Sequence, residues 1–505
     1  MNKVLRRVIA LVPAAIVQLL WLYALLRWLA PFAAVINLLL SLFAFLYVLY
    51  IFTNRNEGAY KTLWLLVILG LPVFGTILYF CVGNKRTARP LQKKIESGHA
   101  LLPPAEETAP ETLRALEEQN LRLAQTFRRV GKQTGFAIHP CREVSYYPLG
   151  EQLHAKMLED LESAETFIYA EYFIVENGVM WDAMVEIMAR KAAQGVDVRV
   201  MYDDFGSLST YSAHDLAELQ GKGIQCVRFN PMVLIKGTLN YRDHRKMLVI
   251  DGRVAFSGGV NLADEYINAV EKYGHWKDIG FRLTGEPVGH YTRMFAEFWN
   301  AFSKNPVPAD NLTRAAGTSV PQPSGGYVLS YYDSPLQSDA VSNSLYVELL
   351  SQATKYAWFY TPYLMLGDSL MDAFVRAAQR GVDVRIIMPG VPDKPLVYRM
   401  SRSYYQMLLE QGVKIYEYTP GFVHAKGCVM DDEVCTVGTV NLDYRSLFLH
   451  FENNALFYRA PIVSDLKADF LSTQAQCVER TLDNIGVSFR KWLVDGVLRI
   501  FAPLC

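Results

Sequence analysis

One short pattern occurs twice in this 505-residue chain, and its spacing limits the fold to one built from two similar halves. The first copy reads His244-Arg-Lys246-Met-Leu-Val-Ile-Asp251. The second reads His424-Ala-Lys426-Gly-Cys-Val-Met-Asp431, so both are His-x-Lys-x4-Asp. Ten residues after each Asp comes an Asn in a matching frame, Asn261 in Gly258-Gly259-Val260-Asn261 and Asn441 in Gly438-Thr439-Val440-Asn441. His424 follows His244 by 180 residues, and Asn441 follows Asn261 by the same interval. A second phrase repeats as well: Ala-Ala-Gln-Gly-Val-Asp-Val-Arg (192–199) returns with one extra Arg at 377–385. Between the repeats, helical stretches alternate with apolar β-branched strands, which argues for an α/β fold with mixed sheets flanked by helices. The duplication predicts two such lobes related by a pseudo-twofold, with the site where they meet. Composition shifts divide the chain into a hydrophobic segment (1–84), a charged connector with a helix over Glu111–Arg129 (85–137), a first lobe (138–304), a Pro/Ser/Gly-rich linker (305–326) and a second lobe (327–505).

The chemistry follows from the side chains in the pattern. Apolar runs flank Asp251-Gly252, a hairpin turn signal. On a strand, residues two apart share a face, so His244 and Lys246 point together, as do His424 and Lys426. A His, a Lys and an Asn amide on one face suit a phosphate. The Lys neutralises its oxygens, the amide donates a hydrogen bond, and the His attacks or moves a proton. Two such faces brought together set an imidazole on each side of one phosphorus, with one as nucleophile and the other as general acid. Asp251 and Asp431 count among the candidate catalytic residues, but each stands where a strand turns, so a turn role is open beside contact with phosphate. The spacings of metal-binding motifs are absent and the Lys supply the positive charge, so neither a metal nor a cofactor is expected.

Charge and hydropathy bound the partners. Lys+Arg and Asp+Glu number 50 each, which gives no basic field for nucleic acid. Seven scattered Cys fit a reducing compartment. Three apolar runs, Val8–Leu26, Trp28–Thr53 and Thr62–Asn84, approach or exceed the length that crosses a bilayer. Lys3, Arg6 and Arg7 before them and Lys85, Arg86, Arg89, Lys93 and Lys94 after them place both flanks in the cytoplasm, which three full spans do not allow. Either the first run lies in the interface or the third, with Gly70-Leu71-Pro72, is re-entrant. The expectation is a multi-pass protein of the cytoplasmic membrane with its lobes on the cytoplasmic side.

The paired motifs resemble the phospholipase D superfamily, the HKD enzymes. The tail 437–447 and the hydrophobic N-terminal region are similar to the bacterial cardiolipin synthases within it. The resemblance runs from about residue 54 to the C-terminus. It implies a membrane phosphatidyltransferase that makes cardiolipin and glycerol from two phosphatidylglycerol molecules through a phosphatidyl-histidine, with His244 favoured as nucleophile. The partners implied are phosphatidylglycerol and membrane lipids. It implies two spans, corresponding to the second and third runs. It also implies acids that orient the imidazoles across the lobes, Glu452 for His244 and Asp278 for His424. Gly259 departs from the family pattern, where Ser is common, and would remove a hydroxyl contact to phosphate. The alternatives are a phospholipase D releasing phosphatidic acid, or a membrane scaffold with inactive lobes.

Overall fold

A computed structural model describes residues 12–27, 32–53, 57–83, 88–231, 240–313, 325–337, 339–486 and 488–504. Two mixed sheets organise it. The first runs Val144–Tyr147, Gly280–Thr284, Val254–Gly258, Met247–Ile250, Phe167–Tyr172, Asp197–Asp203, Gln225–Phe229. The second repeats that order with Tyr327–Asp333, Glu452–Tyr458, Val434–Gly438, Gly427–Met430, Tyr356–Tyr360, Asp383–Pro389 and Lys414–Tyr418, and adds His139–Pro140 and Cys477–Arg480 at its two edges. His139–Pro140, assigned from sequence to the first lobe, thus pairs with Tyr327 and Val328 of the second sheet. In each sheet the strand before the motif hairpin is antiparallel to it and parallel to the next strand (Phe167–Tyr172 to Asp197–Asp203, Tyr356–Tyr360 to Asp383–Pro389). Those strands are buried throughout, which is why they read as continuous apolar runs.

Each motif hairpin reverses through left-handed backbone, Asp251 (φ 53) with Gly252 (φ 65), and Asp431 (φ 56) with Asp432 (φ 63). Gly adopts this conformation freely, and Asp is among the few other residues that do so readily. The lobes share one core, with Phe281 edge-on to Phe457 at 5.5 Å and Phe298 to Phe451 at 4.9 Å.

The connector is packed, not a free tether. Ile95, Leu116, Leu123, Phe127 and Val130 join the shared core. The expected helix over Glu111–Arg129 is two helices, Pro110–Gln119 and Leu121–Thr134. Asn120 breaks them because its extended backbone caps the second, with Oδ1 accepting from Leu123 N–H at 3.1 Å.

In the N-terminal region, helix Ala33–Thr53 holds a 20-residue stretch, Ala34–Thr53, that is the one described helix long and apolar enough to cross a membrane. Val12–Arg27 is a shorter apolar helix, and residues 8–11, 28–31 and 84 of the predicted runs lie outside the described residues. The third run is interrupted as Gly70-Leu71-Pro72 suggested. Helix Gly58–Gly70 ends at Leu71 (φ −136, ψ 74) and Pro72–Leu78 begins a new one. A Cβ on Gly75 would meet the Val67 carbonyl oxygen, so the second helix folds back on the backbone of the first. Thirteen helical residues reach about 20 Å, short of the roughly 30 Å hydrocarbon core. At the other end of the chain, helix Phe489–Phe501 exposes Phe489, Trp492, Leu493, Val497, Ile500 and Phe501.

Candidate active site

The motif residues lie where the backbone changes partners between lobes. Before His244, Phe451 N–H donates to Arg242 O and His244 N–H to Phe451 O, each at 2.9 Å. Before His424, strand Gly421–Val423 runs parallel to His275–Lys277, and His424 N–H donates to Lys277 O at 2.7 Å. Each chain then enters its own sheet at Met247 or Gly427. His244 and Lys246 are therefore not on a regular strand, as the spacing predicted, but on the short segment between two ladders. So are His424 and Lys426. That crossing sets both pairs at the junction.

Each imidazole is held by the opposite lobe. His244 Nδ1 is 2.9 Å from both Glu452 oxygens, and His424 Nδ1 is 2.6 Å from Asp278 Oδ2. With Nδ1–H donated to a carboxylate, each Nε2 keeps its lone pair. Lys246 Nζ donates to His244 O at 2.7 Å, and Lys426 Nζ to His424 O. All six of these groups are buried. Burial holds the His244 imidazole well below its ordinary range, reinforced by the charge of Lys246, and lowers His424 to about 4. It also lowers Lys246 to about 8 and Lys426 to about 7. A desolvated site without an anion thus resists charge, and an entering phosphodiester supplies the negative charge that the lysines lack.

One ring beside each imidazole also comes from the other lobe, two residues before the acid. Trp276 stands 5.4 Å from His424, and His450 stands 6.0 Å from His244. His450 Nε2 is buried without a hydrogen-bond partner. A search for repeated residues misses His450 because its counterpart is Trp. Asn453 was missed too: its Oδ1 accepts from Lys246 N–H at 3.1 Å and its Nδ2 donates to Ser257 Oγ at 2.7 Å, clamping the first motif from the second lobe.

A cavity of about 380 Å³ opens over His244, lined also by Phe173, Tyr363, Lys394, Asn441, Arg445 and His450. The two Asn part company here. Asn441 lines the cavity, donating to Asp443 Oδ2 at 3.0 Å, with its Oδ1 left without a partner. Asn261 instead clasps the loops, accepting from Ile174 N–H at 3.2 Å and donating to the Tyr266 hydroxyl at 2.7 Å. Tyr266 in turn stands edge-on to His424 at 5.3 Å, so Asn261 supports the second imidazole through that ring.

Asp251, Asp431 and Gly259 have structural contacts. Asp251 and Asp431 are turn residues. The Asp251 carboxylate accepts from the backbone N–H of Glu165, Thr166 and Phe167 at 2.7–2.9 Å, and Asp431 from those of Thr354, Lys355 and Tyr356 at 2.6–2.8 Å. Four strand residues separate each from its Lys, which puts the two about 16 Å apart along the chain. The position of Gly259 faces the acid: a Cβ there would meet Asp278 Oδ1. Its counterpart, Thr439, donates its hydroxyl to Glu452 Oε2 at 2.5 Å.

The comparisons with known proteins agree with this fold. The family described as "Cardiolipin synthase, PLD-like domain" matches residues 157–299 and 346–473, and "Phospholipase_D-nuclease N-terminal" matches 39–84. An uncharacterized protein of Streptococcus mutans is 41% identical over 464 residues, covering 90% of this chain and 99% of its own. A cardiolipin synthase of Alkalihalophilus pseudofirmus is 33% identical over 469 residues, covering 91% of this chain and 92% of its own. The crystal structure of phosphatidylserine synthase from Haemophilus influenzae shares the fold, with a TM-score of 0.57 over 75% of this chain and 97% of that one, at 15% identity. Two lobes in one strand order, an HKD motif in each and relatives matched end to end make this chain a member of the phospholipase D superfamily, in its family of PLD-like cardiolipin synthases.

Proposed function

We propose that this enzyme is a membrane phosphatidyltransferase that joins two phosphatidylglycerol molecules into cardiolipin and releases glycerol. The observation that carries the reading is the exchange of acids between lobes, which leaves two neutral imidazoles with Nδ1 tied and Nε2 free. His244, which opens into the cavity, is the nucleophile. Its Nε2 lone pair attacks the donor phosphorus while the bond to the glycerol oxygen breaks, and His424, protonated once the anion is bound, gives that oxygen its proton. The glycerol hydroxyl of a second phosphatidylglycerol then attacks the phosphatidyl-histidine. Its proton passes to His424 and the P–N bond breaks. Lys246 and Lys426 balance the charge on the phosphate oxygens, while Glu452 and Asp278 hold the imidazole tautomers. Asn441 and His450 offer unpartnered polar atoms to the headgroup.

Water at about 55 M competes for the intermediate, so transfer requires that the acceptor be held and water kept scarce. In this reading the lobes lie against the cytoplasmic leaflet, which the length of helix Ala33–Thr53 and the exposed apolar face of Phe489–Phe501 support. Leu504, just beyond that last helix, also lines the cavity. Purified enzyme given phosphatidylglycerol should yield cardiolipin and glycerol in about equal amounts. Because one phosphodiester replaces another, added glycerol should reverse the reaction. Phosphatidic acid as the main product at every lipid density, without reversal by glycerol, would make the enzyme a phospholipase.

A further inference from the structure

Away from the HKD cavity, two buried imidazoles face each other where three segments join. His139 begins the edge strand of the second sheet, and His290 sits in the first turn of helix Val288–Phe302 of the first lobe. Their Nε2 atoms are 3.3 Å apart. Glu106 Oε2, from the connector, is 3.6 Å from His139 Nε2, and one ligand atom from each residue lies within 4.8 Å of the others. His290 Nδ1 is buried without a hydrogen-bond partner, and its ring stacks on Phe136 at 4.5 Å. The transfer chemistry uses none of these groups.

We propose that Glu106, His139 and His290 bind a divalent transition-metal ion of the zinc class, which fastens the connector to both lobes. The spacing of the two imidazole nitrogens is that of ligands around one ion. With Zn–N bonds of about 2.0–2.1 Å, a tetrahedral angle separates two ligand nitrogens by roughly 3.3–3.4 Å, and a nitrogen from a carboxylate oxygen by little more. A hydrogen bond between the rings would ordinarily be shorter, at about 3.0 Å. Two imidazoles and a carboxylate without thiolate suit zinc, nickel or copper, and water takes the remaining position. The neighbouring cation Arg142 is paired with Glu286 at 2.5 Å. The loop carrying Glu106 is pinned on both sides. Pro103 O accepts from Arg293 Nη1 at 2.6 Å, and Thr108 Oγ1 accepts from Ile138 N–H at 2.9 Å. Only the exposed Glu106 side chain has to settle. The sequence spacing hides the site, because its ligands come from a loop, a strand and a helix far apart in the chain.

The test uses the full chain, purified in detergent without a polyhistidine tag, stripped with chelator and titrated with Co²⁺ and then Zn²⁺. One equivalent of Co²⁺ should bind with the visible bands of a four-coordinate ion, give way to Zn²⁺ and raise the melting temperature. Glu106 is 62% exposed, so Glu106→Gln does not endanger folding. It should weaken Co²⁺ binding by about tenfold or more, at least what loss of an outer-shell partner costs. His139→Gln and His290→Gln should abolish binding, and His244→Ala should retain it. Three results would overturn the proposal: no stoichiometric binding by the wild-type chain, unchanged binding in Glu106→Gln, or binding lost only in His244→Ala. The first leaves a hydrogen-bonded histidine pair, and the last moves the ion to the HKD cavity.

Discussion

At the scale of single residues, the site is tuned by burial more than by any one ion pair. Lys426 at about 7 and Lys246 at about 8 are partly neutral at pH 7.5 when no anion is bound. A bound anion raises both, because it favours their charged forms. Binding should therefore take up protons, on the order of one per anion at pH 7.5. Calorimetry with tungstate in buffers of different ionisation enthalpy measures this, and release of protons or no exchange would refute the assignment. Gly259 supplies a second residue-scale prediction. Gly259→Ser puts a Cβ against Asp278 Oδ1 and displaces the acid that holds His424. Turnover should fall about 10- to 100-fold, as for loss of an orienting partner, with less change in KM. An undiminished turnover would mean that Asp278 does not orient His424.

At the scale of elements, the hairpins explain what the motif's Asp does. Asp251 and Asp431 each accept three backbone N–H groups of the chain reversal that leads into the neighbouring strand. Asp251→Asn should cost about 1–3 kcal/mol of stability through poorly satisfied buried donors. It should lower the melting temperature while folded enzyme keeps kcat within about twofold, since Asp251 lies about 16 Å of strand from Lys246. A loss of several orders of magnitude in kcat at unchanged stability would put Asp251 back at the phosphate. Much of this scale was legible beforehand. Repeated residues and apolar runs implied two mixed α/β lobes, and Asp251-Gly252 marked its hairpin. The partner-switching segments at 244–246 and 424–426 were not legible, because a local period of two cannot show that a chain leaves one lobe's ladder for the other's. His450 and Asn453 stayed hidden for a related reason: they act on the first lobe from the second, and a search for internal repeats discards unrepeated residues. The charge of the connector hides how closely it packs, since Leu116, Leu123, Phe127 and Val130 bury a helical stripe against the shared core.

At the scale of the whole molecule, the lobes are one catalytic unit because each supplies the acid for the other's imidazole. Helix Ala33–Thr53 is long and apolar enough to cross a membrane, and helix Phe489–Phe501 exposes an apolar face. Arg89, Lys93 and Lys94 follow the folded-back helices, so a reporter fused after residue 94 should be cytoplasmic, and an external signal would invert the topology. The claim on which the rest depends is that His244 becomes covalently phosphatidylated while His424 serves the departing and entering oxygens. It is tested most directly in the His424→Ala enzyme, using a phosphatidyl ester whose leaving group needs no proton, followed by rapid quench and peptide mass spectrometry. The account predicts a phosphatidyl adduct on the peptide carrying His244, none in His244→Ala, and net synthesis reduced by several orders of magnitude in both variants. An adduct elsewhere, or near-wild-type cardiolipin formation by either variant, would contradict it.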